Sequence, residues 1–309
     1  MSDQTLAFVF PGQGSQKVGM LAEIAEQHTV VKETFAEASD ALGYDLWDMI
    51  QNGEQEQLNL TERTQPILLT SSVALWRVWG QQGGAQPAMM AGHSLGEFSA
   101  LVCAGSLAFS DAVTLVRDRG QFMQTAVPVG EGAMAAVLGL DDEVIIDICQ
   151  QSGAEAVNFN SPGQVVIAGK VAAVDQAIEL LKEAGAKRAM PLPVSAPFHT
   201  SLMRPAGEKL AEKVAELAVS APVIPVVHNV HAQTETDPEK IKALLVEQIY
   251  SPVKWTSCIQ TMASAGISNT LECGPGKVLG GLSRRIDRSL TSFSIEDPAG
   301  LEKAIAEFK

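Results

Sequence analysis

Residues 88–105 read AMMAGHSLGEFSALVCAG, and they contain the most informative pattern in the chain. Its first residues predict the end of a buried strand, and residues 95–104 predict an apolar helix. Between them, Gly-His-Ser-Leu-Gly at 92–96 matches the G-x-S-x-G nucleophile elbow. In such an elbow the two glycines let strand and helix approach closely, and the serine hydroxyl stands at the apex of the turn. The pattern therefore predicts an α/β protein with Ser94 as a nucleophile.

The same elbow predicts an electrostatic environment for the serine. Because the turn opens a helix, unpaired backbone N–H groups and the positive end of the helix dipole face the hydroxyl. The amide of Leu95 can then donate to an oxyanion that develops on a substrate carbonyl. A pattern that fixes only three positions also occurs by chance. The strand before it and the helix after it favour a functional serine.

The composition narrows the class of protein. At 309 residues, with an apolar fraction of 46%, the chain is long enough for one large domain that carries a smaller insertion, or for two domains. Its formal net charge of −14 disfavours nucleic acids and anionic membrane surfaces as partners. The four cysteines lack C-x-x-C spacing, and the N-terminus lacks the basic start and apolar run of an export signal. We therefore expect a cytoplasmic protein with reduced thiols, no metal site and no transmembrane segment.

Outside the elbow, the large domain is predicted to contain further buried strands and amphipathic helices. The first strand ends at a Gly-rich loop, residues 11–16, whose amides can supply a second oxyanion donor. A phosphate-binding loop is a weaker interpretation because neither G-x-G-x-x-G nor G-K-[ST] is present. The predicted elements are strands over 6–10, 223–227 and 269–273, helices over 23–42, 65–82 and 110–127, a helix from about 239, and a C-terminal helix after the last strand.

The pattern of predicted strands and helices changes over residues 132–194 and indicates a separate small domain. The pattern follows the order β-α-β-β-α-β of a ferredoxin-like unit, with a central turn at residues 160–163. An RNA-binding sheet of this type would carry aromatic strands, which this one lacks. We expect an α/β-hydrolase-like large domain over 1–130 and 196–309, and a ferredoxin-like small domain over 131–195.

The helix predicted after Ser110 carries a charge on its apolar face. At about 100° per residue, Arg119 falls in the centre of that face, whereas Arg117 falls on the polar side. A buried guanidinium is costly unless it meets an anion, so Arg119 is predicted to pair either with a protein carboxylate or with a ligand. The apolar face consists of Ala112, Leu115, Val116, Phe122, Met123 and Ala126.

A serine nucleophile needs a base, and the chain has five histidines. His28 lies among polar neighbours on a predicted helix, and His93 should leave the elbow in a different direction from the serine. His228 and His231 lack a third ligand for a metal. His199 lies at a predicted domain junction and follows the serine in the chain order of α/β-hydrolases, so it is the favoured base. No acid stands out as a third triad member, and a backbone carbonyl can orient the imidazole instead.

Several short motifs in a fixed order resemble the malonyl-CoA:acyl carrier protein transacylase family, and the similarity runs nearly from end to end. Each motif is weakly specific alone, but their combination and order are highly specific. The motifs are residues 10–16 (FPGQGSQ), 64–66 (TQP), 92–97 (GHSLGE), 119–120 (RG), 158–164 (NFNSPGQ), 198–199 (FH) and 274–276 (GPG).

The resemblance implies a role for each residue that matches a family motif. Ser94 would carry the acyl group and His199 would be its base, with the main-chain carbonyl of Gln248 holding the imidazole. The amides of Gln13 and Leu95 would form the oxyanion hole. The mechanism implied is ping-pong, in which coenzyme A and phosphopantetheine act as acyl carriers and no metal or bound cofactor is needed.

The resemblance also implies the binding partners, which are malonyl-CoA and a small acidic acyl carrier protein. Arg119 would pair with the malonyl carboxylate. Since this chain is itself acidic, docking of the carrier needs a local cationic rim, for which Lys187 with Arg188 and Arg284 with Arg285 are candidates. The other interpretation of these four residues is that they only contribute to solubility.

Two other functions use the same features. A serine hydrolase or thioesterase would have the same nucleophile and base, with water as the acceptor. A catalytically silent binding subunit is disfavoured because nucleophile, base and oxyanion donors are all present.

Overall fold

Two separate sheets organise the chain in a computed structural model, which describes residues 2–194 and 196–309. The first is a five-stranded sheet in the order β7-β2-β1-β8-β9, and all of its strand pairs are parallel. The second is a four-stranded antiparallel sheet in the order β4-β5-β3-β6. The strands are β1 Ser2–Phe10, β2 Gln86–Gly92, β3 Gly132–Leu138, β4 Glu155–Ser161, β5 Gln164–Lys170, β6 Arg188–Pro191, β7 Val226–Val227, β8 Asn269–Glu272 and β9 Thr291–Ser294.

Helices cover the parallel sheet and one side of the antiparallel sheet. Their bounds are α1 Ala22–Gln27, α2 Val30–Leu42, α3 Leu46–Asn52, α4 Gln55–Leu58, α5 Thr61–Gln81, α6 Gly96–Cys103, α7 Phe109–Thr125, α8 Asp142–Ser152, α9 Val171–Glu183, α10 Arg204–Ala215, α11 Pro238–Glu247, α12 Trp255–Ser264, α13 Val278–Ile286 and α14 Pro298–Glu307. Two short 3₁₀ turns lie at Ser201–Met203 and Gln248–Tyr250. Among the described residues, no helix is long and apolar enough to cross a membrane.

The core sits on both faces of the central strand β1. Its residues 6–10 are completely buried, as expected for a parallel strand with helices on both sides. Phe8 meets the rings of Trp76 and Trp79 edge-on at 5.3 and 5.4 Å between ring centres. The antiparallel sheet has an apolar core of its own, formed with α8 and α9. The sheet framework therefore fixes the carboxyl ends of β1 and β2, where the site is found.

The order β-α-β-β-α-β predicted for the middle of the chain is confirmed by β3, α8, β4, β5, α9 and β6. The last of these strands is shorter than predicted, because the pairing of β6 with β3 ends at Pro191. The strand predicted over 223–227 is likewise reduced to two residues.

Four other predictions of secondary structure are wrong. The helix predicted over 23–42 is two helices, because His28 adopts an extended backbone and the β-branched residues that follow start a new helix. The helix predicted from 65 begins at Thr61, so Pro66 lies in its second turn. The helix predicted from Ser110 begins one residue earlier, at Phe109, with Ala108 at its N-cap. The strand ending near 273 is not the last one, since β9 pairs in parallel with β8 and α14 follows it.

Candidate active site

The serine lies on a tight strand–turn–helix elbow at the end of β2. Ser94 has a positive φ of 51°, a strained backbone for a residue with a side chain. A Cβ atom on Gly92 would lie 1.8 Å from the carbonyl carbon of Gly96, and one on Gly96 would lie 2.1 Å from the oxygen of Phe10. Both glycines are therefore required for the strand and helix to meet. This is the elbow that the sequence predicts.

His199 completes a hydrogen-bonded chain with this serine. The Ser94 hydroxyl lies 2.8 Å from His199 Nε2, and His199 Nδ1 lies 2.8 Å from the main-chain oxygen of Gln248. Because a carbonyl only accepts, Nδ1 carries the proton and Nε2 is left to accept the serine proton. His199 is almost completely buried and also has a positive φ, of 64°. The serine, the histidine and the carbonyl therefore have the geometry of a nucleophile and an oriented base.

The environment keeps the imidazole neutral. Burial, followed by the positive charge of Arg119, lowers the pKa of His199 to about 3. An unprotonated imidazole can accept the serine proton at neutral pH. An anion that pairs with Arg119 would offset the guanidinium charge and raise the pKa of His199, which would make it a stronger base.

Arg119 reaches the same site from the buried face of α7. Only 1% of it is exposed, and its two terminal nitrogens donate to the amide oxygens of Gln65 at 2.8 Å and Gln248 at 2.7 Å. The Gln248-bonded nitrogen lies 3.3 Å from the Ser94 hydroxyl. The buried position that the helical wheel predicts for Arg119 is confirmed, whereas its pairing with an anion stays a prediction. The partners seen are amides, so the guanidinium keeps its capacity to pair with an anion.

Arg119 also keeps unused hydrogen-bonding capacity. Its Nε has no partner among the described residues although it is buried. Burial lowers the pKa of Arg119 to about 10, and the carboxylate of Glu97 limits that fall. At neutral pH the guanidinium is therefore charged. A buried cation with an unpartnered N–H, next to a nucleophile, can bind a carboxylate-bearing ligand.

The two amides predicted as oxyanion donors lie beside the serine on separate segments. Leu95 follows Ser94 directly, and Gln13 lies on the loop after β1. That loop packs against the elbow, because a Cβ on Gly12 would lie 2.5 Å from the His93 oxygen. Neither the Gln13 N–H nor the Leu95 N–H donates to another described residue. Both are therefore able to donate to a ligand oxygen.

The other histidines are not bases for Ser94. His93 donates from Nε2 to Asn160 Oδ1 at 2.7 Å, which joins the elbow to the end of β4 in the antiparallel sheet. His228 donates to Glu97 at 2.7 Å, and its ring packs edge-on against that of His231. His28 lies between α1 and α2. Within residues 2–194 and 196–309 no cluster of three or more histidine, cysteine or acidic side chains could hold a metal.

Three buried side chains around the serine were missed by the sequence analysis. The Gln248 side-chain amide donates to the main-chain oxygen of Ser94 at 3.0 Å, and Asn229 Oδ1 accepts from the Ser94 N–H at 2.8 Å. The carboxylate of Glu97 accepts from both Gln248 and Asn229. Of these contacts, only that of Glu97 had a sequence signal. It is an acid on an otherwise apolar helix, which is the same signal that identified Arg119.

The four basic residues considered for docking lie on or beside the antiparallel sheet. Lys187 and Arg188 lie at the start of β6. Arg284 and Arg285 lie in the last turn of α13, and Arg285 donates to Gln164 Oε1 on β5 at 2.7 Å. The two pairs therefore border the same sheet from different elements.

A serine on a strand–turn–helix elbow, hydrogen-bonded to an imidazole, is the arrangement expected of an enzyme that forms an acyl-serine. Comparison with known proteins narrows this class. The acyl transferase domain model matches residues 7–280. The chain therefore belongs to the acyl transferase family, and it is similar to proteins named malonyl CoA-acyl carrier protein transacylase.

Three relatives illustrate the match. The malonyl CoA-acyl carrier protein transacylase of Salmonella typhimurium is 57% identical over 305 residues, covering 97% of this chain and 99% of the relative. The solved transacylase of Xanthomonas oryzae has a TM-score of 0.98 at 54% identity, covering 100% of this chain and 99% of the other. A solved malonyl-transacylase in complex with a type II PKS acyl-carrier protein has a TM-score of 0.97 at 51% identity, covering 98% and 99%. The resemblance predicted from the sequence is confirmed.

Proposed function

We propose that this chain transfers a malonyl group from coenzyme A to the phosphopantetheine thiol of an acyl carrier protein, as a step of fatty-acid synthesis. The single observation that carries the proposal is the 2.8 Å contact between the Ser94 hydroxyl and His199 Nε2 beside the buried guanidinium of Arg119. We infer the malonyl group and the carrier-protein acceptor from the names of the relatives.

The first half-reaction forms a malonyl-serine. The Ser94 oxygen attacks the thioester carbonyl of malonyl-CoA while His199 Nε2 takes the hydroxyl proton. The N–H groups of Gln13 and Leu95 hold the resulting oxyanion. The carbon–sulfur bond then breaks, and the leaving thiolate receives the proton from His199. The second half-reaction is the reverse, with the carrier thiol as the nucleophile.

Arg119 selects the acyl group in this proposal. Malonyl differs from acetyl by a carboxylate, and a planar guanidinium can meet that carboxylate with two parallel hydrogen bonds. The amide oxygens of Gln65 and Gln248 hold the guanidinium in the absence of substrate, and the carboxylate replaces at least one of them. A neutral acetyl group offers no such exchange, so it is disfavoured.

The architecture supports a cleft between two domains. We assign residues 1–130 and 196–309 to an α/β-hydrolase-like large domain, and residues 131–195 to a ferredoxin-like small domain. The parallel sheet with its elbow and the separate βαββαβ sheet support this division. The hydrogen bond between His93 and Asn160 lies where the two meet, next to the nucleophile. The acyl-thioester would enter along this junction.

The partners follow from the same chemistry. Lys187, Arg188, Arg284 and Arg285 form the proposed docking rim for an acidic carrier protein, and nucleic acids and membranes are not proposed as partners. No bound cofactor or metal is proposed, because serine, imidazole and guanidinium supply the nucleophile, the base and the charge.

The test is the mass of the peptide that contains Ser94. Incubation with malonyl-CoA should add one malonyl group, incubation with acetyl-CoA should add little, and a carrier thiol should remove the malonyl group. Ser94→Ala should abolish labelling and nearly all transfer, and His199→Ala should slow labelling by about 10²–10⁴-fold. A hydrolase would release malonate to water before the thiol is added. The relatives do not favour that alternative, since they are transacylases.

A further inference from the structure

A buried acid is hydrogen-bonded to the residues that contact Ser94 and His199. Glu97, on the first turn of α6, is completely buried, and its carboxylate accepts three hydrogen bonds. The donors are His228 Nδ1 at 2.7 Å, the Asn229 N–H at 2.9 Å and Gln248 Nε2 at 2.8 Å. An ionised carboxylate is costly to bury unless its oxygens are satisfied in this way. The acid is therefore held at a fixed place.

Gln248 connects this acid to the reacting groups through both its main chain and its side chain. Its carbonyl accepts from His199 Nδ1 at 2.8 Å, and its side-chain oxygen accepts from Arg119 at 2.7 Å. Its side-chain nitrogen donates to Glu97 and to the main-chain oxygen of Ser94. Because the side chain is anchored at its end, the carbonyl that orients the imidazole is anchored as well.

Asn229 connects the same acid to the strained turn. Its backbone N–H donates to Glu97, and its side chain spans the elbow. Oδ1 accepts from the Ser94 N–H at 2.8 Å, and Nδ2 donates to the Gly92 oxygen at 2.8 Å. These two contacts lie on either side of the turn that gives Ser94 its left-handed backbone. Glu97 thus supports the nucleophile and the base by separate routes.

We propose that Glu97 is the positioning acid of this site and acts through Gln248 and Asn229 rather than by touching the histidine. In a Ser-His-Asp triad the carboxylate lies on the imidazole itself. Here the imidazole meets a carbonyl, and the acid lies one residue further away. Glu97 exchanges no proton in the reaction, and it acts by fixing Gln248, whose carbonyl orients the imidazole of His199. The inference rests on the acyl transfer proposed above.

Glu97→Gln tests this proposal because it removes the charge and keeps the shape. The maximum rate of Ser94 acylation, measured by rapid quench and mass spectrometry, should fall by about 10- to 100-fold. The fall should be equal for malonyl-CoA and acetyl-CoA, because one base serves both donors. The half-saturating concentration of malonyl-CoA should not rise, because Glu97 does not touch the acyl carboxylate in this arrangement.

Glu272→Gln is the matched control. Glu272 is also a buried carboxylate, 1% exposed, but it lies at the end of β8 and accepts from the Gly280 N–H. This variant should acylate Ser94 at the wild-type rate. A loss of rate in both variants would show that changing any buried carboxyl group disturbs the site, and it would overturn a specific role for Glu97.

A second variant tests the connection itself. Gln248→Met keeps the main-chain carbonyl and removes the side-chain link to Glu97. With acetyl-CoA as donor, which avoids any effect on carboxylate recognition, it should lose rate to a similar extent. Adding Glu97→Gln to it should cost less than Glu97→Gln costs in the wild-type protein, because the route through Gln248 is already removed and only the route through Asn229 remains. If Glu97→Gln does not fold, a full rate in Gln248→Met overturns the proposal.

The outcomes separate this inference from the proposed function. If the wild-type protein is not malonylated on Ser94, the proposed function fails. If it is malonylated and Glu97→Gln is malonylated equally fast, only the inference fails. The inference also fails if the lost rate equals the loss of active sites titrated by a fluorophosphonate, since Glu97 would then be needed only for folding.

Discussion

Among single residues, Arg119 is predicted to determine the choice between malonyl-CoA and acetyl-CoA. Arg119→Ala should lower kcat/KM for malonyl-CoA by at least about 100-fold, because a charged hydrogen-bonded pair is lost, and it should raise the use of acetyl-CoA. Arg119→Lys should restore only part of the preference, since an ammonium keeps the charge but not the planar fork. Initial rates with both donors measure the effect. Equal loss with both donors, together with a lower melting temperature, would make Arg119 a structural residue.

The same substitution should change the pH dependence of the base. Burial lowers the pKa of His199 most, and the charge of Arg119 lowers it further, to about 3. Removing the guanidinium takes away the second cause, so the pKa of His199 should rise. The rate of Ser94 labelling by a neutral fluorophosphonate should then fall at a higher pH in Arg119→Ala than in the wild-type protein. An unchanged acidic limb would contradict the coupling between these two residues.

Among the strands and helices, the elbow between β2 and α6 depends on its glycines. Gly92→Ala should destabilise the protein by about 3 kcal/mol or more, because its Cβ would overlap the Gly96 carbonyl and strand and helix would have to separate. Gly281→Ala is the control, since Gly281 lies inside α13 with open space at its Cβ position. It should be neutral or stabilising by up to about 1 kcal/mol. Urea unfolding of both variants measures the difference.

Sequence patterns predict a structural feature when all the residues that form it lie close together in one segment of the chain. The elbow and the buried position of Arg119 follow from spacing along one segment, so the sequence was sufficient. The side-chain contacts of Asn229 and Gln248 with Ser94 join residues 135 and 154 positions apart, and no local pattern encodes them. Strand β9 was missed because it is short and three of its four residues are polar, and it forms because β8 offers an open edge.

In the molecule as a whole, one buried acid should make stability depend on pH. Burial raises the pKa of Glu272 from an ordinary value near 4.5 to about 7. The folded protein therefore binds this proton more tightly than the unfolded chain does. The stabilisation by this bound proton is fully present below pH 4.5 and is lost as the pH rises through 7. The pKa difference corresponds to a loss of about 3 kcal/mol in the free energy of unfolding.

Glu272→Gln should remove this dependence. The difference in unfolding free energy between the wild-type and Glu272→Gln proteins, measured by urea unfolding from pH 4.5 to 8, should change by that amount over this range. A constant difference would mean that Glu272 has an ordinary pKa in the folded protein.

Because the whole chain is acidic, an acidic carrier protein can dock only at a surface region with a local positive charge. At −14, the molecule repels an acidic partner unless that partner meets a cationic rim. The double variant Lys187→Glu with Arg188→Glu should lower kcat/KM for the carrier protein, more at low salt than at high salt, because screening weakens both the attraction and the new repulsion. Loading of Ser94 from malonyl-CoA should stay unchanged.

A second pair of substitutions separates docking from total charge. Lys240 and Lys303 are exposed on α11 and α14, and Lys240→Glu with Lys303→Glu changes the net charge by the same amount. If the rim beside the antiparallel sheet guides the carrier, this control should lose far less carrier activity than the variant at 187 and 188. Equal losses would mean that long-range repulsion by the whole molecule, rather than a docking surface, sets the rate. Salt titration of both half-reactions decides between these two cases, since only a local contact spares the first half-reaction and weakens the second.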